Sequence, residues 1–390
     1  MTLQSRVRLA LQLALCLFIK MLCRCSFLRK KYSEIWLFSE RGFDACDNAW
    51  SLFRYVRNTA PEKKVYYILE PSSPAVKKVS LLGSVLRRGS LRHLFLYFLP
   101  TVKISTHILG ASPYPALFTS SLGRRLLHAH GVSVFLQHGV TKDDIPALYA
   151  ANTKIDLFVC GAFPEYEFVK TRFGYPRNAV CCPGFARFDS LLSAYPVRQI
   201  LFLPTWRSSL AVLSDVEFKE TSYFSAIQTL FSHKGLMALL TRENVKLVFS
   251  PHPEMKKFVH LFEIHSGCIS MNAEDIGEAI RQSAVLITDF SSVMFDFAYA
   301  ERPVVYLETE GLNTPNYPMG YFSRERDGFG PVVRDHGALC DTLADMIRRK
   351  FSPDKKYLAR AKHFFSRRDR ENCRRNFEAI SECIAKKRGL

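Results

Sequence analysis

The stretch AVLITDFSSVMFD, residues 284–296, has the pattern that decides the fold class. Its first five residues are apolar or β-branched, as expected for a strand that is buried on both faces of a parallel sheet. Two serines follow where the N-cap of a helix belongs, and the residues after them have a helical apolar pattern. A buried strand that leads through polar residues into a helix is the repeating unit of an α/β fold.

Similar apolar runs recur along the chain in two series, which are separated by a proline-marked break at Tyr195-Pro196. The predicted strands are residues 35–39, 65–69, 102–106, 133–137, 155–160 and 179–182, and then 199–203, 245–250, 268–271, 284–288, 303–307 and 330–333. Strands that alternate with helices predict parallel sheets with right-handed crossovers. The sequence therefore predicts an α/β protein with two Rossmann-like domains that face each other across a cleft.

These boundaries divide the chain into four predicted segments. They are a basic and apolar N-terminal segment at residues 1–34, a first Rossmann-like domain at 35–195, a second at 196–352, and basic C-terminal helices at 353–390.

The positive charge of the chain is concentrated at its two ends. The formal net charge is +18; residues 346–390 contain fifteen Lys/Arg and five Asp/Glu, and residues 1–35 contain seven and one. A nucleic-acid-binding protein usually spreads positive charge over its folded reading face. Charge at the ends instead favours an anionic membrane surface, with ordinary solvated helix faces as the alternative. We therefore expect a membrane partner and no nucleic acid.

The N-terminal segment contains an apolar run at residues 9–22. The run is shorter than the ~20 residues that span a bilayer, and basic residues 29–31 rather than a small-residue cleavage site follow it. We expect a helix that lies in the membrane interface or packs on the domain behind it.

Two histidines follow predicted strands and are the candidate catalytic residues. In open α/β sheets, ligands bind at the carboxyl ends of the strands. His138 and Gly139 follow residues 133–137; a neutral histidine there can take a proton from a hydroxyl, and glycine admits a ligand close to the backbone. His252 lies between two prolines that fix its loop after residues 245–250. A purely structural histidine is the alternative in both cases.

Phosphate-binding candidates follow the strands of the second series. Arg207, which with Thr205 lies in the motif PTWR, can make forked contacts to phosphate oxygens, or it can form an interdomain ion pair. Ser291 and Ser292 precede a helix, whose free N–H groups favour a diphosphate, although ordinary capping explains one serine. Asp289, which precedes the serines, is a further candidate substrate-binding residue.

Three further residues are candidates for substrate binding. Asp296 can orient a ligand or cap a helical turn, and Glu308 is placed for ribose hydroxyls or is a surface carboxylate. Arg187 can reach the cleft or pair with Asp189. No Asp-x-Asp motif, metal-ligand spacing, Walker loop or GxGxxG motif occurs, so we predict neither a metal nor a cofactor.

Five motifs occur in a fixed order and together carry a resemblance. They are QHG at 137–139, GFARFD at 184–189, PTWR at 204–207, SPHP at 250–253 and TDFSSVMFD at 288–296. Together they resemble the CDP-glycerol glycerophosphotransferase family, the teichoic-acid primases and polymerases. Ser39-Glu40-Arg41-Gly42 and Asp47-Asn48 resemble its N-terminal signature.

The resemblance implies a glycosyltransferase-B-like (GT-B-like) fold and peripheral attachment to the cytoplasmic face of a bacterial membrane. It implies transfer of glycerol phosphate or ribitol phosphate from CDP-glycerol or CDP-ribitol to a lipid-linked or polymeric glycan. The site would combine His138 from the first domain with His252, Arg207, Ser291, Ser292 and Asp296 from the second. A GT-B glycosyltransferase that uses a nucleotide sugar, and a non-catalytic protein that binds lipid or nucleic acid, are the alternatives.

Overall fold

The computed structural model describes residues 3–272 and 276–389, without the side chain of Leu3. The outermost residues of the two predicted terminal segments, 1–2 and 390, lie outside the described residues.

The first sheet consists of seven parallel strands in the order β3-β2-β1-β4-β5-β6-β7. They are β1 (Trp36–Ser39), β2 (Val65–Leu69), β3 (Ser84–Arg87), β4 (Val102–Ser105), β5 (Val132–Phe135), β6 (Leu157–Val159) and β7 (Val180–Cys181). The sequence patterns predicted all of these except β3. This strand lies at the sheet edge, and only its Leu86 is fully buried, so it lacks the apolar run by which buried strands are recognised.

The second sheet consists of six parallel strands in the order β10-β9-β8-β11-β12-β13. They are β8 (Val197–Leu203), β9 (Lys246–Phe249), β10 (Ile269–Met271), β11 (Ser283–Thr288), β12 (Val304–Leu307) and β13 (Val332–Val333). All six were predicted, and the predicted α/β fold class with two facing Rossmann-like domains is confirmed.

Helices connect the strands and cover the sheets. The described α-helices are α1 (Leu3–Leu22), α2 (Ser26–Tyr32), α3 (Asn48–Thr59), α4 (Ala75–Ser80), α5 (Leu91–Phe98), α6 (Pro115–Thr119), α7 (Ser121–Leu126), α8 (Phe163–Arg172), α9 (Phe188–Leu191), α10 (Asp215–Lys219), α11 (Ser222–Ser232), α12 (Lys234–Arg242), α13 (Ile276–Gln282), α14 (Val293–Tyr299), α15 (Arg324–Asp327), α16 (His336–Arg348), α17 (Lys355–Phe364) and α18 (Asn372–Arg388). The 3₁₀ segments are Pro146–Leu148, Ala150–Asn152, Arg177–Ala179, Ser208–Val212 and Pro253–Leu261.

Each sheet has one position where the strand order reverses direction. In the first sheet it lies between β1 and β4, and in the second between β8 and β11. At such a position the loops leave towards opposite faces of the sheet and open a crevice at the carboxyl ends of the strands. The loops that follow these four strands are therefore placed to form a ligand site.

The last helix, α18, returns to the first sheet. Its Phe377 ring lies 5.5 Å from that of Trp36, and Lys387 Nζ donates to Asp156 Oδ1 at 2.6 Å. Aromatic packing also joins the two halves, because the rings of Phe188 and Tyr299 stack 4.2 Å apart. These contacts connect residues that are distant in the sequence and fix the second domain against the first.

Helix α1 is buried on only one face. Cys16 and Ile19, together with Cys23 just after the helix, pack in an apolar cluster with Phe98 and Phe118. The opposite face exposes large apolar side chains, namely Val7, Leu11, Phe18 and Met21.

Among the described residues no single helix is long and apolar enough to cross a bilayer. Two successive helices have the length and apolar composition of a membrane span only when they are taken together, Gln4–Leu22 and Ser26–Tyr32. They are bent by 94° relative to each other.

Candidate active site

The loop that carries His138 is held from behind by a buried polar network. Gln137 has a φ of +58°, a left-handed conformation that non-glycine residues seldom adopt. Its side-chain Nε2 donates to Val159 O at 2.7 Å and to Glu165 Oε1 at 2.9 Å, and Glu165 also accepts from the Thr141 N–H at 2.5 Å. Burial raises the pKa of Glu165 to about 7. The network fixes the strained turn and so the direction in which His138 leaves it.

The hydrogen bond of His138 defines the tautomer of its ring. Its Nδ1 lies 3.4 Å from Thr106 O. A carbonyl oxygen can only accept, so we assign the hydrogen to Nδ1, which leaves Nε2 with a free lone pair. His138 is thus arranged as a base.

His252 has the opposite arrangement. Its Nδ1 accepts a hydrogen bond from the Glu254 N–H at 3.2 Å, at the start of the 3₁₀ segment Pro253–Leu261. In the neutral ring the hydrogen therefore resides on Nε2, which becomes a donor. The ring is parallel to that of Trp206, with a centroid distance of 6.5 Å. The two histidines thus present a base and a hydrogen-bond donor.

Both histidines are held in the neutral form. Burial lowers the pKa of His138, and the Arg41 and Arg187 cations lower it further, while Asp47 opposes the change. Burial, Arg41 and His138 lower the pKa of His252 to about 4. His138 of the first domain thus affects the pKa of His252 in the second.

A second histidine stacks on His138. The ring of His107, just after β4, lies 4.7 Å from that of His138 at an interplanar angle of 8°. Its Nε2 accepts from Arg41 Nε at 3.1 Å, and its Nδ1 lies 2.9 Å from Thr106 Oγ1. Burial, His138 and Arg41 lower the pKa of His107 to about 2.

Gly139 faces the start of α14 across the cleft. A Cβ at position 139 would overlap the Ser292 hydroxyl and approach Ser292 Cβ to 2.9 Å. Ser291 Oγ accepts from the Val293 N–H at 3.2 Å, whereas the Ser292 side chain makes no capping bond. The predicted Gly139 and Ser292 therefore meet at the domain boundary, with Ser291 as the neighbour of Ser292.

Arg187 and Asp296, two of the predicted substrate-binding residues, form a buried ion pair between the domains. Arg187 Nε and Nη2 donate to the two Asp296 oxygens at 2.6 and 2.8 Å, and Nη1 donates to Asp47 Oδ1 at 2.6 Å. The Asp296 side chain is fully buried. Burial alone would lower the pKa of Arg187, but the two carboxylates raise it well above its ordinary value.

The pairing of Arg187 with Asp189, one of the two alternatives for Arg187, does not occur. Asp189 accepts instead from the backbone N–H groups of Asn372 and Cys373, at 3.0 and 2.8 Å, and so caps α18.

Asp289, another predicted substrate-binding residue, is engaged by groups of its own domain. Its buried carboxylate accepts from Arg207 Nη2 at 2.7 Å and from the Thr205 N–H at 2.8 Å. Arg207 is therefore in an ion pair inside one domain, not between domains as the alternative had it. Thr205 Oγ1 and Arg207 Nε are buried without a hydrogen-bond partner among the described residues. Buried polar atoms normally find partners, so these two atoms are candidates for ligand contacts.

Glu308, predicted to bind ribose hydroxyls, is engaged by two arginines. Arg324 Nη2 donates to it at 2.7 Å, and Arg334 Nη2 lies 3.3 Å away. The Arg324 guanidinium also lies 4.0 Å from the centre of the Phe290 ring. Glu308 therefore positions Arg324 against Phe290.

Sequence reasoning named Arg41 and Asp47 only as part of a signature, and it missed His107. Arg41 donates to His107, whose ring stacks on His138, and Asp47 accepts from Arg187. Arg41 and His107 follow β1 and β4, the strands at which the first sheet reverses its order. The strand-end rule that selected His138 would have selected them, had the order of the strands been known.

The chain is similar to known proteins both in sequence and in fold. The sequence model described as CDP-Glycerol:Poly(glycerophosphate) glycerophosphotransferase matches residues 20–382. The chain belongs to this glycerophosphotransferase family. The family resemblance that the five motifs carried is confirmed.

Two proteins that resemble this chain in sequence come from bacilli. The minor teichoic acid biosynthesis protein GgaB of Bacillus subtilis (strain 168) is 32% identical over 362 residues, which cover 89% of this chain and 40% of GgaB. A teichoic acid glycerol-phosphate primase of Bacillus spizizenii is 27% identical over 180 residues, which cover 45% of this chain and 43% of the primase. The chain thus spans about two fifths of the length of these relatives.

The solved structure of the wall teichoic acid polymerase TagF shares the fold. It superposes with a TM-score of 0.67 at 14% identity and covers 98% of both chains. A UDP-GlcNAc 2-epimerase of Methanocaldococcus jannaschii superposes with a TM-score of 0.53 at 13% identity, covering 89% of this chain and 99% of the epimerase. Since one fold serves different reactions, the chemistry has to be argued from the site.

Proposed function

We propose that this protein transfers glycerol phosphate or ribitol phosphate from CDP-glycerol or CDP-ribitol to a hydroxyl of a lipid-linked or polymeric glycan. The observation that carries the proposal is the pair of neutral histidines, His138 with a free Nε2 lone pair and His252 with an Nε2 hydrogen. Transfer between a hydroxyl and a diphosphate needs both functions, a base for the hydroxyl and a donor for the diphosphate oxygens. Family membership supports the same reaction class.

The proposed reaction is a direct displacement at phosphorus. The acceptor hydroxyl gives its proton to His138 Nε2 while its oxygen bonds to the β-phosphorus of the CDP-polyol. The bond from that phosphorus to the bridging oxygen breaks, and CMP leaves with the electron pair. Little covalent chemistry falls to the protein, so positioning and electrostatics supply most of the rate enhancement.

The second domain is proposed to hold the diphosphate. The Nε2 hydrogen of His252 would stabilise charge on the diphosphate as CMP departs. Thr205 Oγ1 and Arg207 Nε are unpartnered polar atoms in the same domain, and Ser291 and Ser292 begin α14 next to Gly139. The buried Asp289 would act by orienting Arg207.

Membrane attachment is proposed to occur through the N-terminal end alone. Helix α1 exposes Leu11 and Phe18 on the face opposite the buried one, and basic residues 29–31 follow in α2. The basic residues of α18 are poor candidates, because several of them pair with acidic side chains, as Lys387 does with Asp156. We propose a peripheral enzyme at the cytoplasmic face of a bacterial membrane, where lipid-linked acceptors are available.

A panel of donors tests the proposed function. The protein is incubated with CDP-glycerol, CDP-ribitol, UDP-sugars and CMP-sugars, each with a lipid-linked disaccharide and with a short polyol-phosphate chain, and nucleotide release is measured. We expect acceptor-dependent release with one or both CDP-polyols. Release only with a nucleotide sugar would replace the proposal by the glycosyltransferase alternative.

A further inference from the structure

Arg41 follows β1 and contacts His107, whose ring stacks on that of His138. Its charge also lowers the pKa of His107, His138 and His252. The side chain is exposed, while its Nε donates to His107 Nε2 at 3.1 Å. Arg41 therefore brings a fixed positive charge beside the proposed base of the first domain.

The other arginines of the cleft are already paired with carboxylates. Arg187 pairs with Asp47 and Asp296, Arg207 pairs with Asp289, and Arg324 pairs with Glu308. Across residues 3–272 and 276–389, by contrast, no carboxylate forms an ion pair with Arg41. The positive charge of this guanidinium is therefore available to an anion from outside the protein.

His107 determines how the Arg41 side chain is held. An arginine Nε can only donate, so His107 Nε2 must accept and its hydrogen must reside on Nδ1, facing Thr106 Oγ1 at 2.9 Å. The ring is further fixed because it stacks on His138. Because Nε donates to His107, the orientation of the guanidinium plane is fixed. Both terminal nitrogens keep their hydrogens for a ligand.

We propose that Arg41, held by His107, binds a phosphate oxyanion of a substrate in the cleft, with His107 as its positioning residue. This inference rests on the proposed function. A planar guanidinium donates to two phosphate oxygens at once, which gives orientation as well as charge neutralisation. The phosphate is either the β-phosphate of the donor or a phosphodiester of the acceptor chain.

Substitution of Arg41 tests the proposal. We expect Arg41→Gln to lower kcat/KM for CMP release about 10²-fold, the usual cost of one donor to a reacting oxyanion. Arg41→Lys should recover only part of this, since an ammonium group makes no forked contact. Arg177→Gln, a change at an exposed arginine of the same domain that makes no described side-chain contact, is the matched control and should keep the wild-type rate.

Two binding arms identify the phosphate. Calorimetry with CDP-glycerol or CDP-ribitol in the absence of acceptor reports on the donor. The KM for an acceptor that carries a phosphodiester, compared with one that carries a free sugar, reports on the acceptor. Weaker donor binding or a selective rise in KM for the phosphorylated acceptor would each support the proposal and name the phosphate.

The positioning role of His107 has a separate readout. His107→Gln keeps an acceptor for Arg41 Nε and should retain more activity than His107→Leu, which keeps neither acceptor nor donor.

Chemical rescue tests the guanidinium of Arg41 directly. Guanidinium ion added to the Arg41→Ala variant should restore part of the rate that the substitution removes.

Unchanged kcat/KM, donor affinity and acceptor KM in folded Arg41→Gln would overturn the inference while leaving the proposed function intact. Absence of turnover by the wild-type protein with every CDP-polyol would instead remove the proposed function.

Discussion

The chemistry of His138 and His252 depends on which ring nitrogen is engaged by the backbone. The Thr106 carbonyl engages Nδ1 of the first, and the Glu254 N–H engages Nδ1 of the second. The same residue type therefore presents a lone pair from one domain and a hydrogen from the other. This difference yields a test that is sharper than replacement by alanine.

Glutamine separates the two proposed roles. Its amide nitrogen can imitate the donating Nε2 of histidine, but a glutamine is no base. We expect His138→Gln to lose ~10²-fold or more in kcat, and His252→Gln to retain a larger share of activity than His252→Ala. Steady-state CMP release measures this, with circular dichroism as the control for folding. Equal losses in His252→Gln and His252→Ala would contradict the donor role.

The pH profile reports on His138 itself. A base must be neutral, so kcat/KM should fall as the pH falls through the pKa of His138 in the free enzyme. Burial, Arg41 and Arg187 lower that pKa and Asp47 opposes them, so we expect the midpoint of the acid limb below the ordinary value of about 6.5. Without the Arg41 cation, the protonated ring of His138 is less unfavourable and its pKa rises. Arg41→Gln should therefore move the midpoint of the acid limb to higher pH. A midpoint in the wild type above 6.5 would contradict this environment for His138.

At the scale of elements, the loop after β5 meets the start of α14 with no space to spare. Gly139→Ala would force the two apart, because the new Cβ would overlap the Ser292 hydroxyl. We expect Gly139→Ala to lower kcat/KM. The double variant Gly139→Ala/Ser292→Gly, which removes the overlapping hydroxyl, should have a higher kcat/KM than Gly139→Ala alone. A double variant that is no better than Gly139→Ala would show that the cost arises elsewhere.

The ion pair between Arg187 and α14 fixes the domains through a buried carboxylate. Asp296 is the fully buried partner of Arg187, and Asp296→Asn removes its negative charge. Because a buried Arg187 would then lack this partner, the free energy of unfolding should fall by about 3 kcal/mol. Urea titration measures this. Glu378→Gln removes the partner of an exposed pair with Arg374 on α18 and should change stability by less than about 1 kcal/mol. Equal effects of the two substitutions would contradict the anchoring role.

At the scale of the whole molecule, α1 presents an apolar face that the rest of the chain leaves uncovered. Replacement of Leu11 and Phe18 by serine should weaken co-sedimentation with vesicles that contain anionic lipid, because apolar area enters the interface together with basic charge. Val216→Ser, at an exposed apolar position of the second domain, is the matched control. Unchanged sedimentation of the α1 variant would remove the proposed attachment.

Most of the fold could be predicted from the sequence because twelve of the thirteen described strands are marked by apolar runs. β3 could not, since an edge strand with one fully buried side chain has no such run. For the candidate site, the strand-end rule selected His138 and His252 one loop at a time. The partnership of Arg187 with Asp296 joins residues 109 positions apart and depends on how the domains meet, which no local pattern encodes.

The identity of the released nucleotide tests the central claim most directly. Attack on the β-phosphorus of a CDP-polyol must release CMP, whereas attack on the polyol carbon would release CDP. Mass spectrometry of the nucleotide formed with CDP-glycerol or CDP-ribitol and an acceptor distinguishes the two, and the elongated acceptor is measured in the same sample. The account predicts one CMP for each polyol phosphate added, and a product nucleotide of CDP would contradict it.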